Sequence, residues 1–176
     1  SDLKIILAIL NFICKVYLTV IRGTPVVVQI LIIYFIVFQS SNAQIPIAAL
    51  AFGINSGAYV AEIFRSGIMS IDIGQNEAGR SLGFNYAQTM IYIIVPQAFK
   101  NVIPTLGNEF IVLLKETAVC GYIGLMDLTR AGDSVRAATY NPYFPLIFIA
   151  VIYLVMVMFF TWLLGKLERR LRNAER

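Results

Sequence analysis

Residues 23–61 read GTPVVVQILIIYFIVFQSSNAQIPIAALAFGINSGAYVA and carry no charged side chain; Arg22 stands before them and Glu62 after. A helix crosses a bilayer with about 20 residues, so this run is too long for one span and long enough for two. It is interrupted at Gln39-Ser40-Ser41-Asn42-Ala43-Gln44-Ile45-Pro46, a polar turn that ends in proline. The spacing predicts helices over 24–38 and 46–64. The first is short, and its helix is expected to begin before Pro25.

Composition agrees with a lipid-facing chain. Apolar residues make up 59% of the 176 residues and charged residues 14%, against roughly 25% charged in a typical soluble domain. A soluble chain of this size cannot hide so much apolar surface, whereas a lipid-exposed one has no need to. The sequence has no histidine, which excludes histidine-based catalysis and histidine metal sites. Its net charge of +4 is read as basic residues gathered in cytoplasmic loops, with no nucleic-acid partner implied. Cys14 and Cys120 lie far apart in apolar sequence and are read as reduced, packed residues.

Outward from the opening run, residues 65–87 change character. Arg65, Asp72, Glu77 and Arg80 alternate with glycines at 67, 74, 79 and 83, the pattern of short surface helices ended by glycine. A helix over 86–98 is expected to approach the membrane and one over 99–117 to cross it, with Pro96 and Pro104 able to kink or break the passage. Residues 118–141 are mixed, with Asp127, Arg130, Asp133 and Arg136, and residues 143–165 are a charge-free span. Residues 3–21 are read as an amphipathic helix at the bilayer surface, with a span as the alternative.

The chain therefore divides into an interfacial helix (1–21), a membrane domain (22–165) with a loop at 65–98, and a basic tail (166–176). Running 24–38 outward puts Lys15, Arg22, Arg65, Arg80, Lys100 and the tail on the cytoplasmic side, and leaves outside only basic residues balanced by Asp127 and Asp133 or lying near the surface. The C-terminus is then cytoplasmic.

The loop is the most specific feature. Glu77-Ala78-Gly79-Arg80-Ser81-Leu82-Gly83, nine further residues, then Ile93-Ile94-Val95-Pro96 resembles the cytoplasmic loop motif of binding-protein-dependent ABC importer permeases. That motif is Glu-Ala-Ala, three residues, Gly, nine residues, Ile-x-Leu-Pro. Gly79 replaces its second alanine and Val95 its leucine. Arg22-Gly23-Thr24-Pro25 with Gln29, the segment Asn55 to Ile68, and Gly107-Asn108-Glu109-Phe110-Ile111 resemble the polar amino-acid (histidine/glutamine/arginine) branch.

The resemblance implies an all-α membrane protein with a type I ABC importer-like transmembrane domain. It implies about four spans of a usual five, with the first either missing from this sequence, the favoured reading, or replaced by residues 3–21. Glu77, Ala78, Gly79 and Gly83 would form a coupling knob that docks in an ATPase. Its implied partners are two ATPase subunits, a second permease subunit (a copy or a homologue), an extracytoplasmic amino-acid-binding protein and a polar, even cationic, amino acid. The sequence has no phosphate loop, so the chain is read as a non-catalytic subunit of a prokaryotic cell membrane, without a cofactor of its own. ATP and Mg²⁺ would be bound by the ATPase partners. A secondary transporter or channel without an ATPase, or a small membrane anchor, are the rival readings.

Polar residues inside spans mark candidate substrate contacts. Glu109 lies midway along 99–117, where it suits a cationic group; pairing with Lys115 or a structural hydrogen bond is the alternative. Asn55 and Tyr59, four apart, share a helix face and are read as lining a polar path or as bonding helix to helix. Thr24 sits at the Gly23-Thr24-Pro25 break, where freed backbone groups would suit a substrate carboxylate.

Overall fold

A computed structural model describes residues 2–173; for 171–173 the description is of backbone only. Ser1 and the end of the tail, including Arg176, lie outside the described residues, as does the side chain of Arg172. Among the described residues every regular element is helical. They are α1 (Asp2–Gly23), α2 (Val26–Ile32) with a wide turn (Ile33–Val37), α3 (Gln44–Met69), α4 (Ile73–Ser81), α5 (Tyr86–Thr89) with a second wide turn (Met90–Ile94), α6 (Val95–Glu116), a tight 3₁₀ stretch (Thr117–Ile123), α7 (Leu128–Thr139) and α8 (Tyr143–Asn173).

Three of these helices, α1, α3 and α8, are long and apolar enough to cross a membrane. The helix expected at 24–38 is the shorter apolar Val26–Val37. Helix α6 has the length but carries Lys100, Glu109, Lys115 and Glu116. Helix α1 has no buried residue and is, by length and composition, able to cross a bilayer.

Two expectations about boundaries are corrected. The helix at 24–38 does not begin before Pro25. Helix α1 ends at Gly23, and Pro25 is extended (φ −65°, ψ 138°) as the residue before α2. Proline disfavours a helical conformation for the residue preceding it, here Thr24, which stops α1. The expected join between 86–98 and 99–117 is not a boundary either: the helix runs on through Val95–Glu116 with Pro104 inside. The wide turn at Met90–Ile94, where the Val95 N–H reaches back to the Met90 carbonyl, comes just before Pro96. A proline ring crowds the carbonyl four residues before it, and a widened turn gives that carbonyl room.

The chain forms two compact units. The first contains residues 1–59 and 113–154. Its core is Ile30, Ala48, Ala51, Phe52, Cys120 and Ile123, so α2, α3 and the 3₁₀ stretch pack together. Gly124 (φ +91°) closes that stretch, and a Cβ there would lie 2.7 Å from Gln44 Nε2, which donates to the Ile123 carbonyl at 3.1 Å. The second unit contains residues 60–112 and 155–176. There Gly67 of α3 meets Val102 of α6, and Gly107 of α6 meets Leu164 of α8; a Cβ at either glycine would stand 2.3 Å from its neighbour. Such contacts let helices approach closely where lipid offers no hydrophobic drive between them.

Candidate functional site

Two sets of residues carry the chemistry, one in each unit. In the second unit the loop between α3 and α6 folds as a knob. Asp72 caps α4, its carboxylate accepting from the Gly74 N–H at 2.7 Å. The helix stops in a Schellman turn: the Phe84 N–H bonds the Gly79 carbonyl (3.1 Å) and the Gly83 N–H the Arg80 carbonyl (2.9 Å). Gly83 takes φ +82°, a left-handed conformation that costs any other residue more. Asn85 then opens α5 with a capping box: its side chain accepts from the Gln88 N–H and the Gln88 side chain from the Asn85 N–H, each at 2.9 Å. The stop at Gly83 is as the sequence predicts, whereas Gly67, Gly74 and Gly79 lie inside helices and end none.

Within the knob the candidate residues divide. Gly79 is buried while Glu77, Ala78 and Gly83 are exposed. A Cβ on residue 79 would lie 2.7 Å from Thr89 Cγ2 and 2.8 Å from its Oγ1. This explains the departure from alanine at that position: α4 and α5 approach too closely for one. Thr89 is 1% exposed and its hydroxyl has no hydrogen-bond partner among the described residues. Sequence reading missed Thr89, since nothing local marks a threonine ten positions after Gly79 as its neighbour. Gln97 ties the knob to α6, donating to Gln75 Oε1 at 3.1 Å and to the Ile93 carbonyl at 2.8 Å.

The first unit holds a polar cluster at the α1–α2 break. Helix α1 ends with carbonyls that have no following N–H to accept from, because Pro25 has none. Thr24 Oγ1 donates to the Val20 carbonyl at 2.8 Å. Gln29 Nε2 contacts the Ile21 carbonyl (2.7 Å), the Thr24 carbonyl (3.0 Å) and Thr24 Oγ1 (2.7 Å). Asn55 Nδ2 then donates to Gln29 Oε1 at 2.9 Å. Gln29 and Asn55 are both buried, at 8% and 2% exposure. The carbonyl side of the break is thus closed by the protein's own amide and hydroxyl.

Thr24 and Asn55 are therefore brought together through Gln29, a hub that sequence reading did not single out. Tyr59 stands apart from that cluster, its ring facing the Arg22 guanidinium at 5.8 Å. Tyr17 joins α1 to α3 by donating to the Ile54 carbonyl at 2.6 Å. Glu109 belongs to the second unit, is half-buried on α6 and has an interaction partner of its own. On α7, Asp127 caps the helix by accepting from the Arg130 N–H at 2.7 Å and also receives the Gly121 N–H at 3.3 Å. Burial pushes the Cys120 thiol upward, and the Asp127 carboxylate adds to it. Among the described residues no cluster of histidine, cysteine or carboxylate side chains could hold a metal.

Comparison with known proteins gives this architecture its context. The arginine transport system permease protein ArtQ of Bacillus subtilis is 43% identical over 167 residues, covering 93% of this chain and 76% of its own length. The glutamine transport system permease protein GlnP of Escherichia coli K12 is 38% identical over 168 residues, covering 93% of this chain and 77% of its own. A crystal structure of an amino acid ABC transporter with histidines superposes with TM-score 0.82 at 50% identity, over 89% of this chain and 74% of that one. The MetNI methionine ABC transporter shares the fold, with TM-score 0.76 at 18% identity, over 95% of this chain and 78% of that one. Residues 5–173 match the family described as binding-protein-dependent transport system inner membrane component, and the chain belongs to that family.

Proposed function

We propose that this chain is the membrane subunit of an ATP-driven importer for a polar amino acid, and that the Glu77–Gly83 knob receives the motion of separate ATPase subunits. The knob carries the reading. It is fixed internally by a Schellman turn, a capping box and the Gln97–Gln75 bond, yet presents Glu77, Ala78 and Arg80 exposed. A rigid, outward-facing element suits a part that must transmit a displacement without absorbing it.

In this reading two ATPase subunits bind ATP and Mg²⁺, and this chain hydrolyses nothing. A second copy or a homologue completes the pore, and a binding protein delivers substrate from outside. The C-terminus faces the cytoplasm, as the distribution of basic residues supports. Thr24, Asn55, Tyr59 and Glu109 are the chain's substrate-path residues, with Gln29 holding Thr24 and Asn55 in place. ArtQ is named for arginine and GlnP for glutamine, so what is common to both points to the amino-acid backbone rather than to side-chain charge.

The test is uptake by proteoliposomes carrying the complete complex, its binding protein and internal ATP, with labelled arginine, glutamine and histidine offered separately. ATP-dependent accumulation of at least one supports the proposal. Accumulation of any of them without ATP, driven by an ion gradient, overturns it.

A further inference from the structure

We propose that the cytoplasmic end of α8 holds the headgroup of an anionic phospholipid, gripped by Lys166, Arg169 and Arg170 beside Trp162. The inference rests on α8 being a span that ends at the inner face, as argued above.

Lys166 is the first charged residue of α8, which begins at Tyr143. At 1.5 Å per residue it stands about 34 Å along the axis, roughly one hydrocarbon thickness. The side chain is therefore placed where headgroups begin. Lys166 Nζ lies over the Trp162 ring, 3.7 Å from its centroid. A tryptophan at this depth has an apolar body in the acyl region and its N–H at the headgroup level. Trp162 is 57% exposed.

Two hollows share this Trp162–Lys166 pair. One extends along Val157, Met158, Thr161 and Gly165 to Arg169. The other runs along Leu163, Leu164 and Leu167 to Arg170. Gly165 makes a notch in the first, for a Cβ there would meet nothing within 4 Å. Each hollow therefore joins an apolar channel to a basic end, which is the division of a phospholipid into chain and phosphate. Among the described residues no carboxylate lines either, and Glu168 is not part of them.

An acidic surface of the ATPase is the rival occupant. It fits less well, because the first hollow reaches Val157, nine residues and about 13 Å on the membrane side of Lys166. A water-soluble subunit has no access there, whereas an acyl chain lies there already. Each basic residue near an anionic surface is worth about fivefold in affinity, enough for selection over a zwitterionic lipid.

Trp162 is the chain's only tryptophan and can report the binding. The complete transporter is placed in phosphatidylcholine nanodiscs with increasing fractions of brominated phosphatidylglycerol or brominated phosphatidylcholine. The Trp162→Phe complex supplies the background. Half-maximal quenching is expected at an at least fivefold lower fraction of phosphatidylglycerol. In the Lys166→Gln/Arg169→Gln variant the two curves should converge, and Gly165→Leu, which keeps the charges and fills the notch, should weaken quenching by the anionic lipid. Equal curves in the unmodified complex would overturn the proposal while leaving the span intact. So would a preference that survives the double variant, or one that emerges only once the ATPase subunits are stripped away. Absence of quenching by either lipid would overturn the span assignment as well.

Discussion

Gly79 packs against Thr89 so closely that a methyl group on residue 79 would lie 2.7 Å from Thr89 Cγ2. This contact sets how near α4 and α5 come, and so the shape of the knob. Gly79→Ala should destabilise the complex by about 1–3 kcal/mol through overpacking. Thr89→Ala removes both clashing atoms and deletes a hydroxyl that has no hydrogen-bond partner among the described residues. The double variant should recover most of the loss. Thermal unfolding of the purified complex measures it, and failure of Thr89→Ala to rescue would show that the contact does not set the spacing.

The Gln29–Asn55 bond leads to a second prediction. Gln29→Leu leaves the Ile21 carbonyl and the Asn55 amide without the partner each now has. Buried groups left unsatisfied cost about 1–3 kcal/mol each. Asn55→Leu alone should cost less, because Gln29 Nε2 keeps its carbonyls. In a double-mutant cycle the two changes should couple by about 0.5–3 kcal/mol. Additive effects on unfolding would mean that the two side chains act separately.

Asn85 makes a third test. Asn85→Ala removes the side-chain half of the capping box and should cost about 1 kcal/mol. The loss should be local, read as faster amide hydrogen exchange across 86–94 with little change in α8. Unchanged exchange in 86–94 would remove the capping box from the account of the knob.

Cys120 gives a pH prediction. Burial and then Asp127 hold its thiol above the ordinary range, so the neutral thiol persists to higher pH. The thiolate is what reacts with maleimide. In a Cys14→Ser background, labelling of the native complex should be slow at neutral pH, with onset displaced to the alkaline side of that for an exposed cysteine. Labelling as fast as that of an exposed thiol at neutral pH would contradict the burial.

How much of this was legible in the sequence depends on the distance over which each feature is determined. The Gly83 stop could be read directly, because turn chemistry is decided by residues within one helical turn. Helix α3 and the charge-free span at 143–165 were visible from composition alone. The α1 stop was misjudged because the apolar run continues through Pro25 and hides the restriction that proline places on Thr24. The continuous passage into α6 was missed since Pro96 and Pro104 look like breaks, while the wide turn at Met90–Ile94 accommodates the first of them. Gln29 entered the sequence reading only as part of the Arg22–Gln29 resemblance and not as the hub, because its partners include the Ile21 and Thr24 carbonyls, which no residue type advertises. Thr89 needed the tertiary fold.

Gly83 offers the most direct test of the central claim, that the knob passes the work of ATP to this chain. Its φ of +82° makes Gly83→Val strained whatever the space around it. The measurement is ATP-dependent uptake by the reconstituted complex, alongside co-purification of the ATPase and its hydrolysis rate. The account predicts that uptake falls at least tenfold while hydrolysis by the ATPase subunits persists or the subunits dissociate. Uptake at the unmodified rate, with Gly83→Val and the ATPase still bound, would contradict it.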